Sequence, residues 1–218
     1  METVGNTTNS GVLRWPKSFG ITHVPAVELA ASTLQIQVLI EEIQSATLRA
    51  KQLIAGRAEA ELTTSPGANS WSVAQCLDHL AKTTNAFLRP ISEAVSRAPR
   101  LAKNRRLQIG PITRMLIQAL EPPYKLHFKV LAPIAPSHHR IEPAWSAFAE
   151  SQDLLTKTAQ STIGLAIDRM RIESPVYARL NYNVYGALRM LAAHQRRHLW
   201  QMEQILNALD RTHIPSIS

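Results

Sequence analysis

The stretch VYGALRMLAAHQRRHLWQMEQILNAL, residues 184–209, decides the fold class. Val184, Leu188, Leu191, Gln195, His198, Met202, Ile205 and Leu209 recur every three or four residues, the period of one helix face. No Gly or Pro interrupts the run after Gly186. Asn181 or Asn183 stands where a side-chain oxygen can cap the first turn. A helix this long with one apolar stripe needs neighbouring helices to cover it.

Three more segments supply them. Leu29, Thr33, Ile36, Ile40, Ile43, Thr47, Ala50 and Ile54 predict a helix that begins at Pro25, closed by Gly56 and the 63–67 cluster. A second starts at Ser72, an N-cap with Gln75 three residues on to complete a capping box. Trp71 is placed to staple against its first turn. Val73, Cys76, Leu77, Leu80, Thr84, Phe87, Leu88 and Ile91 mark its face, and Pro90 is set to kink or end it. A third follows Glu142-Pro143, with Trp145, Phe148, Gln152, Leu155 and Ala159 on one side, and stops at Ile163-Gly164.

The connections are long. Residues 97–143 are rich in Pro and predict one short helix, Pro111 to about Leu120, because Pro is favourable at the first helical position. A connection of this length commonly serves as a lid or wall. Leu165 to about Tyr182 forms another. The expected architecture is all-α: a four-helix bundle with long crossover connections over 25–213, preceded by a polar tail or strap, 1–24.

Composition agrees and excludes several functions. The 218 residues are 45% hydrophobic with only 8 Gly, which suits one helical domain. The net charge of +8 owes much to Arg97, Arg100, Lys103, Arg105, Arg106 and Arg114. No aromatic residue interleaves these cations, so they read as a solvated basic loop, and nucleic acid is not an expected partner. Cys76 is the sole cysteine, which rules out an intramolecular disulfide and a Cys-rich zinc site; its neighbours mark it as a small buried apolar group. No apolar run approaches the ~18 residues of a membrane span, and residues 1–20 lack the pattern of a secretory signal. Cytoplasm is the expected compartment.

Eight histidines remain to be placed. His194 and His198, four residues apart, project from one helix face and can offer two imidazole nitrogens to one ion. Ala187, Leu191, His194, His198, Gln201 and Ile205 form an inward stripe there. Such a pair alone is equally compatible with surface or core histidines. His79, beside the Cys76/Leu80 face, is the candidate third ligand; the alternative is a core histidine bonded to a backbone carbonyl. The adjacent His138-His139 read as loop polars, and His23, His127 and His213 have no companions.

Trp71-Ser72-Val73-Ala74-Gln75-Cys76-Leu77-Asp78-His79-Leu80 resembles the W-S-x-x-E-x-x-x-H-L helix start of the DinB-like proteins. His194-Gln195-Arg196-Arg197-His198-Leu199-Trp200-Gln201 is similar to their H-x-x-R-H-x-x-Q segment, and Glu173-Ser174-Pro175 looks like the turn before their last helix. The one departure is Gln75 in place of an acid, which preserves the cap. Covering roughly residues 25–210, the resemblance implies a metal-dependent four-helix bundle with His79, His194 and His198 as a three-histidine site. It implies a divalent ion, nickel or zinc first and iron or manganese next. It also implies a small-molecule substrate, with a low-molecular-weight thiol as cosubstrate for some members.

Such an ion acidifies a bound water or thiol, so hydrolysis and thiol S-transfer are both expected chemistries. A non-catalytic, metal-stabilised interaction module is the alternative, and homodimerisation is expected under either. Around the site, Gln201 is expected to meet a metal-bound water or solvent. Arg197 is expected in solvent more than on an anionic substrate, and Asp78 directed elsewhere on its helix.

Overall fold

Ser72 opens the helix around which the rest is arranged. Its hydroxyl accepts from the Gln75 amide at 3.3 Å, and the Gln75 side chain accepts from the Ser72 amide at 2.9 Å, so both halves of the capping box form. In the computed structural model, which describes residues 30–68, 70–103, 105–123, 130–177 and 179–212, six helices follow one another. They are α1 (Ala31–Ile54), α2 (Glu59–Thr63), α3 (Val73–Val95), α4 (Pro111–Leu120), α5 (Ile141–Ser161) and α6 (Val184–Thr212). A two-stranded antiparallel hairpin, β1 (Arg171–Glu173) and β2 (Asn181–Asn183), precedes α6.

The four long helices make the bundle: α1 and α3 each pack on both α5 and α6. This is the expected all-α architecture with crossover links, and α4 keeps its expected bounds. Four details differ. The first helix starts at Ala31, after an extended Ala30, and not at Pro25; residues 25–29 and the proposed tail lie outside the described residues. Pro90 neither ends nor caps α3, which runs on to Val95. The helix expected after Pro143 begins at Ile141, because Pro143 then falls among the first four residues, whose amides have no intrahelical acceptor. The one-and-a-half-turn α2 and the hairpin were not expected; strands of three residues are too short to show an alternating pattern.

The hairpin and α4 are fastened to the bundle by specific contacts. Ile172 and Tyr182, cross-strand partners, are buried, and Tyr182 meets Phe87 of α3 with ring centroids 5.8 Å apart. Arg105 makes a two-pronged ion pair with Asp168, at 2.6 and 2.8 Å, so the basic stretch is partly neutralised from within. Asn183, one of the two candidate caps, accepts from the Gly186 amide at 2.6 Å. A Cβ on Gly186 would lie 2.8 Å from that Asn183 oxygen and 3.0 Å from Thr113 of α4, so only glycine admits both the cap and α4. On the opposite side Glu42 of α1 receives Arg189 and Arg196 of α6, both at 2.8 Å, and Arg196 also grips Glu121.

The core divides into two clusters along the bundle axis. One contains Ile36, Leu39, Phe87, Ile91, Leu188 and Leu191; the other contains Ala50, Leu77, Leu80, Phe148, Met202 and Ile205. On α6 the first ends at Ala193 and the second resumes at Leu199. His194 and His198 fall in that gap, and His79 faces them from α3. Polar side chains occupy the junction where apolar packing breaks. Gln195 there bonds Gln152 of α5 at 2.8 Å, with both residues buried.

Candidate metal centre

The antiparallel run of α3 against α6 brings residues 79 and 194, 115 positions apart, into contact. His79 Nε2 lies 3.2 Å from His194 Nε2, which lies 3.1 Å from His198 Nε2. The three ligand atoms all fall within 4.8 Å of one another, and the rings meet edge to face. The structure thus converges all three singled-out histidines. A divalent ion bound at about 2.0–2.1 Å separates its nitrogens by about 2.9 Å in octahedral and 3.4 Å in tetrahedral sites, and the observed spacings lie between.

The outer ring nitrogens fix which atoms face inward. His79 Nδ1 lies 2.7 Å from the Ile134 carbonyl oxygen, which can only accept, so Nδ1 carries the proton and Nε2 of the neutral ring is bare. His198 Nδ1 lies 2.9 Å from Gln201 Oε1 and donates in the same way. His194 Nε2 can give its one proton to only one of its two neighbours. At least one of the two close nitrogen–nitrogen contacts is therefore left without a hydrogen bond, an arrangement that fits a shared cation. Both readings of His79 therefore hold at once: it is bonded to a backbone carbonyl and it faces the other two rings.

Electrostatics favour the neutral, ligating form. Burial, followed by the neighbouring rings and the Arg197 guanidinium, pushes His194 and His198 well below the ordinary imidazole pKa. Burial lowers His79 as well, against the Ile134 hydrogen bond and the Asp78 charge, which raise it. Burial likewise pushes the Cys76 thiol up, so it remains an apolar spacer, as expected.

Two neighbours, Gln201 and Arg197, are placed otherwise than expected, whereas Asp78 makes its contacts elsewhere, as expected. Gln201 meets the His198 ring itself, where a metal-bound water or solvent was expected. Arg197, expected in solvent, is buried in the wall of the cavity beside the rings, because α6 is covered there by the long connection. Asp78 is directed into the connection: it accepts from the amides of Ser137 and His138, the latter at 3.1 Å, and pairs with Lys82 at 3.0 Å. Lys82 in turn donates to the Ala135 carbonyl at 2.9 Å. Burial opposes the Asp78 charge, but the two amides and Lys82 hold its carboxyl below the usual carboxylate range. This clamp fixes the single 3-10 turn Ala132–Ile134, whose last carbonyl orients His79. Nothing in the spacing of residues announced it, since the acceptor is a backbone atom.

Asp78→Asn keeps the shape and removes the charge. It is expected to weaken metal affinity by roughly 10–100-fold, the usual cost of disturbing a partner of a ligating histidine, with His79 still present. Metal titration followed by calorimetry measures it.

A cavity of about 580 Å³ opens onto the ring nitrogens. Trp71, the expected staple, stands in its wall, stacked on His198 at 5.7 Å between centroids and 4.8 Å from His79. Away from the histidines the walls are largely apolar, with Phe87, Leu116, Leu120, Ile134, Leu180 and Met190. His138, half exposed, faces Asp78 at 3.8 Å and takes no part in the cavity wall. His23, His127 and His213 lie outside the described residues.

A helical bundle whose two facing helices bring three imidazole nitrogens together beside one cavity fits the binding of a metal ion between helices. A family model described as the DinB superfamily matches residues 42–202, a span that includes all three histidines, and the chain belongs to that superfamily. No curated protein and no solved structure matches it.

Proposed function

We propose that His79, His194 and His198 hold one divalent metal ion and that the protein is an enzyme acting on a small molecule there. The cavity carries this reading. A metal that only tied helices together would need no room beside it, whereas about 580 Å³ of space adjoins these nitrogens. The ion supplies Lewis acidity, for acidifying either a coordinated thiol or a coordinated water.

The chain's own residues favour thiol S-transfer over hydrolysis. No carboxylate stands among the described residues of the wall, and all its histidines belong to the trio. A hydrolase commonly protonates its leaving atom from a carboxylate or a histidine, and the described wall offers neither beyond the trio. Attack by a thiolate, its proton lost to solvent, on a carbon electrophile whose leaving group departs as a stable anion leaves the wall only the tasks of binding and excluding water, for which apolar side chains suffice. Trp71 and Ile134 hold rings in place, and Arg197 adds a positive potential beside them.

Elemental analysis of the isolated protein should give about one nickel or zinc ion per chain, and reloading a chelator-stripped sample should restore it. A screen pairing low-molecular-weight thiols with apolar electrophiles should show turnover only in the loaded form. Turnover of ester or amide substrates without any thiol would favour the hydrolase instead. A protein that never takes up metal would end the proposal.

A further inference from the structure

The cavity has a direction. Antiparallel packing makes the histidines one end, with Trp71 and Gln201, and the Phe87–Tyr182 contact the other. From His79 to Phe87 along α3 is about 12 Å at 1.5 Å per residue, roughly the reach of an extended chain of eight to ten carbons. Between the ends the walls are Leu116 and Leu120 from α4, Val176 and Leu180 from the hairpin, and Met190 from α6.

Polar side chains are few in this lining: Thr83, Tyr177 and Tyr182. Thr83, one turn beyond His79 on the same face of α3, is 5% exposed, and its hydroxyl has no hydrogen-bond partner among the described residues. A threonine in a helix ordinarily satisfies its hydroxyl on the carbonyl four residues back, as Thr47 does on Ile43 at 3.0 Å. Thr83 does not. Its oxygen is shielded from solvent and from the open cavity alike, so Thr83 presents no polar atom to a guest.

Charge restricts the other end. A divalent ion on three neutral imidazoles, beside buried Arg197 and with no carboxylate among the described lining residues, places positive potential at the head of the cavity. An anionic or readily deprotonated group is favoured there and a cationic one is rejected.

We infer that the cavity selects an amphiphile: an anionic head at the histidine end and a linear apolar body along α3 toward Phe87 and Tyr182. The inference rests on the metal reading for its head and on the cavity for its body. The electrophile, the partner of the thiol, is then a chain-bearing carboxylic acid derivative and not a sugar or nucleotide, because the far walls are mostly apolar.

Straight-chain carboxylates from butanoate to dodecanoate serve as probes, titrated by calorimetry into the zinc-loaded protein, with zinc content measured on the same sample. Affinity should rise roughly fourfold per methylene, the increment for burying one such group, and level off near ten carbons. Decyltrimethylammonium should bind at least tenfold more weakly than decanoate. Zinc bound at one per chain with flat dependence on chain length, or with the cation bound as well as the anion, overturns the inference and leaves the metal centre standing. Failure to bind zinc overturns both.

Discussion

His194→Ala is expected to reduce bound metal from one ion per chain to none detectable at micromolar concentrations. His194 is the ring whose Nε2 lies near both others, at 3.2 and 3.1 Å, so its removal takes the middle donor and leaves two nitrogens without a bridge. Losing a partner of a ligating histidine costs roughly 10–100-fold, and losing a ligand itself should cost at least 10³-fold. The readout that separates ligation from packing is thermal stability with and without metal. In the parent protein, metal at a thousand times its dissociation constant should stabilise the fold by about 4 kcal/mol. In His194→Ala that increment vanishes, while the metal-free variant melts near the metal-free parent, or above it in mild acid, because a buried imidazole has been removed. A variant that loses stability equally in both states would show a merely structural histidine.

The metal-free protein should lose stability steeply as pH falls below about 6.5. All three rings have folded-state pKa values below the ordinary one, chiefly from burial, whereas in the unfolded chain they titrate near 6.5. Below that pH the unfolded chain binds more protons than the folded one, so acid favours unfolding; above pH 7 neither state binds them and the effect is absent. Each proton contributes about 1.4 kcal/mol per pH unit, so the three together approach about 4 kcal/mol per unit. Bound metal, competing for the same nitrogens, should move the onset to lower pH. Asp78 acts in a separate window. Its carboxyl is held low, so its contribution is present above about pH 4 and disappears only below it. Denaturant melts at pH 7.5, 6.5 and 5.5, with and without zinc, resolve the two; a flat metal-free profile across these values would mean that the rings are not buried as a neutral cluster.

Much of this arrangement was legible in the residues. Periodicity placed α1, α3, α5 and α6, Ser72 with Gln75 fixed the start of α3, and Pro111 fixed that of α4. These signals are local, which is why they survive in a bare sequence. The pairing of His79 with His194 and His198 was legible only through resemblance, since 115 intervening residues put no constraint on spacing. What escaped was decided by tertiary contact. Arg197 looks like any surface arginine until the long connection covers it, and Asp78 like any helix acid until Ser137 and His138 fold over it. Thr83 carried no signal at all, because an unsatisfied hydroxyl is visible only once its surroundings are known. The ends of helices moved where Pro143 tolerated the first turn and where Ala30 took an extended backbone.

The atom that orients His79 is the main-chain oxygen of Ile134, and every amino acid possesses one. The tether is therefore indifferent to which side chain occupies position 134. The segment carrying it could drift, swapping one bulky wall residue for another and so altering which guests are admitted, without unsettling the ring it steadies. Division of labour of this kind lets a single scaffold diversify its clientele while its inorganic chemistry stays constant.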